Sequence, residues 1–414
     1  MSIVERIMEF DSKSQFKKNA LPFAIYLFAF SFSLTPFFSS LSLLLFSATS
    51  LFYLKIKSPR RSDLLFLLSY CFIFLMYLAG MIFTNFQNRA IELIVRASPI
   101  LFVPFLLLFT KAPAKTNYFK LKLSFISGVF VSCLISIIYG VFRVLRDGDL
   151  QRVLYFEFAE LLDLHPLYYS IYIITAIVFI NKIVIKTSYK AFGYLVFGSS
   201  LLLLQSKLGI LMLVFLLGHF VFISVKKKQY MYLSIGLLSL CLIFFSAFAF
   251  DDNRLNELFL SRERMELGTI KEDGVSQRIW LWKTAIIQLK EEPFTGFGLG
   301  SKKDMFKWKV EKDILMNNYD WPTIRAMKLI STWNLHNNYL QICYEFGVVG
   351  LICFLVSIIT CIRLAILKSK ALFLSIYALV LALLFVEVAL NRQMGIYFYA
   401  LIPPLLFWES KTRR

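Results

Sequence analysis

The sequence HNNYLQICYEFGVVG, residues 336–350, joins a charged segment to an apolar one. Residues 251–337, which precede it, contain 14 Lys/Arg and 13 Asp/Glu. The residues that follow form an apolar run long enough to enter a membrane as a helix. The junction therefore predicts that His336, one of three histidines in the chain, lies at a membrane surface.

The composition predicts an all-α, polytopic membrane protein. The chain is 58% hydrophobic and 17% charged, with a mean hydropathy of +0.68, and a water-soluble domain of this size cannot bury so much apolar surface. About 20 apolar residues are needed for one helical span. Twelve segments approach this length: 19–35, 38–54, 64–84, 98–110, 123–142, 166–181, 191–205, 208–225, 230–250, 338–362, 371–389 and 393–409.

The formal net charge of +19 could indicate nucleic acid, but the positions of the basic residues indicate membrane topology instead. Lysine and arginine concentrate in alternate loops, which predicts that these loops and both termini are cytoplasmic. Residues 1–250 are then helices 1–9, residues 251–337 a large loop outside the cytoplasm, and residues 338–414 helices 10–12. Seven cations are expected on the side opposite the cytoplasm, in short loops where some could bind a negatively charged group: Arg89, Arg96, Arg143, Arg146, Arg152, Lys207 and Arg392.

The large loop shows helical patterns of its own. Ser276 is a plausible N-cap for a helix whose apolar positions are Ile279, Trp282, Ile286 and Leu289. A second amphipathic helix, residues 305–315, would lie either on the lipid headgroups or in solvent. The smaller outside segment 145–164 is also amphipathic and is expected to follow the membrane interface. All six cysteines lie in apolar segments, which predicts neither disulfides nor a metal site.

Helical periodicity predicts that His336, Leu340, Cys343, Gly347 and Gly350 share one face of the tenth helix. The glycines would let a neighbouring helix approach closely and so fix the helix that carries the histidine. A lone interfacial histidine is more often satisfied by headgroups or by a carbonyl. His219 and Glu387 are ionisable residues within predicted spans, so each could have either a functional or a structural role. A neutral, hydrogen-bonded His219 is favoured. Glu387 is expected to pair with Arg392 or a buried lysine.

The pattern H-N-x9-G-x-x-G after a long periplasmic loop resembles the signature of the O-antigen ligase and polymerase superfamily of bacterial membrane glycosyltransferases. Residues 276–280 (SQRIW) and 293–298 (PFTGFG) are similar to a helix and a P-x-x-G-x-G turn of that family. Ser206-Lys207 stands where the family has Ser-Arg, so a positive charge is kept but the bidentate fork is lost. Residues 165–170 (HPLYYS) resemble a run at the head of the sixth helix.

The resemblance implies a GT-C-like inner-membrane enzyme with the following site residues. His336 would be the catalytic base, Arg278 and Lys207 would hold pyrophosphate, and Arg392 could add a phosphate contact. Asn337, Gly347, Gly350 and His165 would support the site. Instead of binding phosphate, Arg278 could form a salt bridge with a headgroup or a neighbouring acid of the loop, and Arg392 could anchor the end of a helix.

The expected reaction is the inverting, metal-independent and cofactor-free transfer of a glycan from undecaprenyl pyrophosphate to lipid A–core oligosaccharide at the periplasmic side. A polymerase that joins lipid-linked repeat units is the main alternative, and the single long loop favours a ligase over it. A protein O-oligosaccharyltransferase fits less well because its additional periplasmic portion is missing. A lipid or polysaccharide transporter would instead place its charges along a midplane cavity.

Overall fold

The computed structural model describes residues 19–54, 59–110, 116–206, 209–210, 274–317 and 321–409, and all regular structure in these residues is helical. Sixteen α-helices are numbered here in chain order: α1 Asn19–Ser31, α2 Pro36–Leu51, α3 Arg61–Tyr70, α4 Phe72–Phe83, α5 Gln87–Ala97, α6 Pro99–Phe109, α7 Tyr118–Asp147, α8 Tyr155–Ala159, α9 Pro166–Ile180, α10 Thr187–Leu203, α11 Gly274–Leu289, α12 Lys302–Met316, α13 Trp321–Ser331, α14 Asn338–Leu367, α15 Ala371–Val386 and α16 Gln393–Trp408.

Helices occupy ten of the twelve predicted spans. The other two, 208–225 and 230–250, lie outside the described residues apart from 209–210, as does His219. Among the described residues, three helical stretches could cross a membrane by length and composition: Gln87–Phe109, Tyr118–Asp147 and Asn338–Leu367. The number rises to five if the bent pairs α3–α4 and residues 155–180 are each one span. The all-helical class, with several helices apolar enough to span a membrane, is thus confirmed for the described residues.

The main core contains residues of helices α1 to α10 and α14 to α16, and aromatic pairs join the beginning of the chain to its end. Phe66 of α3 stacks on Phe407 of α16 with ring centroids 3.6 Å apart. Tyr70 and Tyr399 exchange hydrogen bonds, since the hydroxyl of each donates to the backbone carbonyl of the other, at 2.5 and 3.2 Å. These contacts fix α16, and with it the short link that precedes it, against the beginning of the bundle.

The large loop has a second core of its own, to which α11, α12, α13 and α14 contribute. Its buried apolar residues are Leu281, Ala285, Phe306, Val310, Met327, Ile330, Leu335 and Tyr344. The predicted helix at 276–289 exists, but it begins at Gly274, so Ser276 is not its N-cap. Leu281 and Ala285 of this helix are buried, Trp282 packs against the same core, and Ile286 is 53% exposed.

The prediction of one continuous face on the tenth helix is wrong as well, because α14 breaks at Gly347. Gly347 has φ 65° and ψ −172°, a conformation that is nearly restricted to glycine. His336 lies outside the helix, before its N-cap Asn337. Two helical parts of α14, residues 338–346 and 348–367, therefore meet at this break.

The turn at residues 293–298 docks into this break. The backbone N–H groups of Phe297 and Gly298 donate to the carbonyls of Tyr344 and Glu345, both at 2.9 Å, and the N–H of Val348 donates to the carbonyl of Pro293, also at 2.9 Å. These bonds satisfy backbone groups that the break would otherwise leave unpaired. A Cβ atom at Gly347 would overlap the carbonyl of Phe294. Gly347 thus admits a turn rather than a neighbouring helix.

Gly350 was expected to let a neighbouring helix approach closely, and it does lie next to one. A Cβ atom there would overlap the side chain of Phe346 and lie 3.6 Å from the sulfur of Met76 on α4. The glycine therefore makes room for the side chain of Phe346 on α14 itself, and the contact with α4 is an ordinary van der Waals distance.

Candidate active site

A cavity of about 680 Å³ lies between the large loop and the bundle. Its wall includes four residues that the sequence singled out, namely His336, Arg278, His165 and Arg392. They come from four separate parts of the chain, and only the fold brings them together. Lys207 lies outside the described residues.

His336 is paired with a carboxylate. Its Nδ1 lies 2.9 Å from Oε2 of Glu387, and the two side chains are 21% and 5% exposed. Because the carboxylate accepts a hydrogen bond, it favours the imidazole tautomer with the proton on Nδ1. In that tautomer, Nε2 carries a lone pair and can accept a proton from a group in the cavity.

Glu387 lies just after the end of α15, and its contacts correct the expectation that it pairs with Arg392 or a lysine. Its Oε1 accepts hydrogen bonds from Nδ2 of Asn334 at 3.2 Å and from the backbone N–H of Val388 at 3.0 Å. Burial raises the pKa of Glu387, but the hydrogen bond from His336 and the charges of His336 and Arg278 outweigh burial and lower the pKa to about 2. The carboxylate is therefore ionised at neutral pH.

This shift predicts a contribution to acid stability. Since the folded-state pKa of Glu387 lies below its ordinary value of 4.5, the ionised group stabilises the fold above that pH, and the contribution is lost as the pH falls toward the folded-state value. We expect the thermal midpoint of the detergent-solubilised protein to fall less steeply between about pH 5 and pH 3 in Glu387→Gln than in the wild type. Equal slopes would contradict this assignment.

Three contacts hold the loop that carries His336. The indole Nε1 of Trp282 donates to the carbonyl of Leu335 at 2.6 Å. The buried ammonium of Lys302 donates to the carbonyls of Ser331 and Trp333. His336 itself has φ 46°, and its backbone N–H donates to Oδ1 of Asn334 at 2.9 Å. The helices of the large loop thus fix the position of the imidazole.

Asn337 has a defined structural role as the N-cap of α14. Its Oδ1 accepts a hydrogen bond from the backbone N–H of Leu340 at 2.9 Å. Asparagine is among the best N-cap residues because its side chain satisfies a free N–H of the first turn. The cap fixes where the helix begins, directly after His336.

Lys302 and Glu345 form a buried polar group at another part of the cavity wall. Burial lowers the pKa of Lys302 to about 7, and the nearby Glu345 carboxylate opposes this shift. Oε1 of Glu345 accepts hydrogen bonds from Gln341 at 2.9 Å and from the backbone N–H of Gly300 at 3.3 Å. The group ties the docked turn to α14 and to the His336 loop.

Arg278 and Arg392 reach the cavity from different elements. Arg278 lies on α11, and its charge acts on both Glu387 and His165. Arg392 is exposed and stands at the N-cap of α16, after the short 3-10 turn Ala389–Asn391. The two guanidinium groups thus add positive charge near the His336–Glu387 pair.

His165 caps α9, since its Nδ1 accepts a hydrogen bond from the backbone N–H of Leu167 at 3.3 Å. Burial lowers the pKa of His165 to about 4; the Glu387 carboxylate opposes this shift, and the charges of Arg392, His336 and Arg278 add to it. The ring is therefore neutral at pH 7, with its proton on Nε2. This geometry fits the supporting role that the sequence suggested.

The capping role predicts different results for two substitutions at this position. We expect His165→Ala to destabilise the protein by about 1 kcal/mol, because a helix N–H loses its partner, and His165→Asn to retain most of that stability. Thermal unfolding of both variants in the same detergent tests this. An asparagine variant as unstable as the alanine variant would show that the cap contributes little.

Three arginines near the end of α7 and just after it bind local carboxylates. Arg143 pairs with Glu157 and Glu160, Arg146 with Asp147 at 2.6 Å, and Arg152 with Asp147 and Glu157, both at 3.3 Å. None of the three lines the cavity. Their contacts account for them as structural ion pairs. The helical stretch Tyr155–Leu162 is bent by 80° from α9; that it follows a membrane surface stays a prediction.

The sequence missed several residues of the cavity wall. The sequence predicts no particular binding site for Arg89 or Arg96, and it does not distinguish Lys302 or Asn334 from other residues. All four line the cavity. Glu387 was noted without its partner. The i, i+7 spacing of Arg89 and Arg96 places both on one face of α5, and this spacing is the sequence feature that could have predicted a shared site.

These features define a helical membrane protein with a cationic cavity that contains a carboxylate–histidine pair. Residues 192–355 match a family model described as O-Antigen ligase. The predicted resemblance to the O-antigen ligase and polymerase superfamily is thereby confirmed, and O-antigen ligase-type activity follows from it in general terms. No curated protein matches the chain. Glu387, Arg392 and His165 lie outside the matched residues, yet they line the same cavity as His336.

Proposed function

We propose that the protein transfers a preassembled glycan from undecaprenyl pyrophosphate to a sugar hydroxyl of an acceptor, with lipid A–core oligosaccharide as the acceptor of a ligase. The observation that carries the proposal is the His336–Glu387 pair, 2.9 Å between Nδ1 and Oε2, on the wall of a cavity that Arg278 and Arg392 also line. A base beside several cations meets both chemical needs of this transfer.

The first need is removal of a proton from the acceptor. Glu387 holds the Nδ1 proton of His336, so Nε2 takes the proton of the acceptor hydroxyl as its oxygen attacks the anomeric carbon of the donor sugar. Attack from the face opposite the leaving group inverts the anomeric configuration. The carboxylate then stabilises the imidazolium that forms.

The second need is stabilisation of the leaving group. As the bond between the anomeric carbon and the phosphate oxygen breaks, negative charge grows on undecaprenyl pyrophosphate. Arg278 and Arg392 would bind this group, and Lys207 remains a proposed third contact. The active site would face the periplasm of a bacterial inner membrane, with both termini in the cytoplasm.

The role of Arg278 predicts a graded series. We expect Arg278→Ala to lower kcat/KM for the donor by about 10²- to 10³-fold, the usual effect of removing one preorganised donor to a developing anion. Arg278→Lys should recover part of this loss, because lysine keeps the charge but not the planar fork. Donor-dependent transfer by purified protein in proteoliposomes tests the series. Full activity of the alanine variant would remove Arg278 from the site.

The same assay separates the two members of the superfamily. Purified protein is given a lipid-linked glycan with lipid A–core oligosaccharide in one reaction and without it in another. A ligase consumes the core acceptor, whereas a polymerase joins two lipid-linked units. A transporter would move the lipid-linked glycan across the bilayer without forming a new glycosidic bond.

A further inference from the structure

The cavity wall carries more positive charge than the carboxylates in it can balance. Six cations and three carboxylates line it among the described residues: Arg89, Arg96, Arg278, Lys302, Lys303, Arg392, Glu92, Glu345 and Glu387. An excess of one charge in a confined cavity raises the local concentration of ligands of the opposite charge. The wall is therefore built for a strongly anionic ligand.

The three carboxylates already have partners. Glu387 binds His336 and lies in the field of Arg278. Glu345 accepts bonds from Gln341 and Gly300 and faces the charge of Lys302. Glu92 pairs only loosely with Arg89, at 3.7 Å and with its own side chain 61% exposed. Exposed pairs of this kind are weak and give way to a better anion.

No carboxylate in the described part of the chain pairs with Arg96, Lys303 or Arg392. The guanidinium of Arg96 contacts only a neutral group, the carbonyl of Asn391, at 3.2 Å. Uncompensated cations facing a cavity are a common feature of phosphate sites. These three groups remain available to a ligand.

The two arginines of α5 lie near different groups of residues, one at each end of the helix. Arg96 lies beside the link that carries Arg392, through its bond to Asn391. Arg89 lies beside the start of α12, where a Cβ atom on Gly300 would be 3.0 Å from the Cβ and Cγ atoms of Arg89. Seven residues of helix separate the two arginines, which corresponds to about 10 Å along the axis. The two ends of α5 thus present separate groups of cations along the cavity wall.

We propose that Arg89 and Lys303 form a second anion subsite, which binds a phosphate group of the acceptor while the donor pyrophosphate is held by Arg278, Arg392 and Arg96. This inference rests on the proposed function, and it identifies the acceptor as a phosphorylated one. The phosphate could belong to a phosphorylated oligosaccharide or to the pyrophosphate of a second lipid-linked glycan. Both supply the oxygens that arginine and lysine bind.

Binding measured without turnover tests the subsite separately from the reaction. The His336→Ala protein is titrated with lipid A–core oligosaccharide, with the same material after phosphatase treatment, and with a lipid-pyrophosphate-linked glycan. We expect phosphatase treatment, or the double change Arg89→Gln and Lys303→Gln, to weaken binding of the core oligosaccharide by about 10-fold or more, the usual cost of losing a charged hydrogen bond. The double change should have little further effect after phosphatase treatment.

Two control proteins complete the experiment. Lys307→Gln removes another exposed cation of α12, which pairs with Glu311 at 3.8 Å and does not line the cavity, and it should not change binding. The charge-preserving double change Arg89→Lys and Lys303→Arg should restore most of the affinity. Stronger dependence of the lipid-pyrophosphate-linked glycan on Arg89 and Lys303 would assign the subsite to a second lipid-linked unit.

The subsite would be overturned if the His336→Ala protein bound phosphorylated and dephosphorylated oligosaccharide equally well and the double change did not weaken binding of the lipid-pyrophosphate-linked glycan either. An equal loss of affinity for both in the double variant would overturn it as well. Absence of glycan transfer by the wild-type protein, with the phosphate-dependent binding intact, would instead overturn the proposed function. The two failures are therefore distinguishable.

Discussion

We expect glycan transfer by purified His336→Ala to fall by about 10²- to 10⁴-fold relative to wild type, the range that one general base contributes. Without the imidazole, no group remains at this position to take the acceptor proton. The Glu387 carboxylate would also lose its hydrogen-bonded partner, which stands at 2.9 Å in the structure. Transfer of a labelled glycan from the lipid-linked donor to the acceptor measures this loss.

A binding measurement distinguishes a loss of catalysis from a loss of affinity for the lipid-linked donor. Arg278 and Arg392 remain in the His336→Ala protein, so the affinity for the lipid-linked donor should change little. A drop in turnover with unchanged donor affinity supports the role of a base. Undiminished transfer would show that His336 does not take the proton.

The second large effect concerns the break in α14. We expect Gly347→Val to prevent stable folding of the large loop against the bundle. A backbone conformation like that of Gly347 costs a non-glycine residue on the order of 1 to 3 kcal/mol. The added side chain would also overlap the carbonyl of Phe294 in the docked turn. Yield of monodisperse protein and the thermal midpoint in detergent both measure the effect.

Gly198→Ala is a matched control for this prediction. Gly198 lies within α10, and a Cβ atom there has no neighbour within 4 Å. Alanine in a helix interior is favoured over glycine by about 1 kcal/mol, so this variant should be as stable as wild type or slightly more stable. A Gly347→Val protein that unfolds at the wild-type temperature would contradict the account of the break.

The sequence predicted the ten apolar segments that are helical in the described residues, but it did not predict the packing of the large loop. Runs of apolar residues identify spans because the requirement for length and hydrophobicity is local. The break at Gly347 is not local: a single glycine in an apolar run also fits a continuous helix, and only the docked turn supplies partners for the interrupted backbone. The packing of α11 is not local either, because Leu281 and Ala285 pack against elements distant in sequence.

The candidate site was predicted only in part, because only some of its residues belong to local sequence patterns. His336, Arg278, His165 and Arg392 were recognised from local patterns, and the structure places them around one cavity. Glu387 lies 51 residues from its partner His336, and no spacing rule connects a residue at the end of α15 with a loop before α14. Second-sphere partners of this kind depend on how the elements pack.

A double-mutant cycle on glycan transfer tests the His336–Glu387 pair most directly. Wild type, His336→Ala, Glu387→Gln and the double variant are compared in one assay with the same donor and acceptor. If Glu387 acts by orienting and stabilising His336, then Glu387→Gln lowers transfer in the wild-type background, and the double variant transfers at the rate of His336→Ala alone. Losses that multiply in the double variant would show that the two residues act independently and would contradict a carboxylate–histidine base.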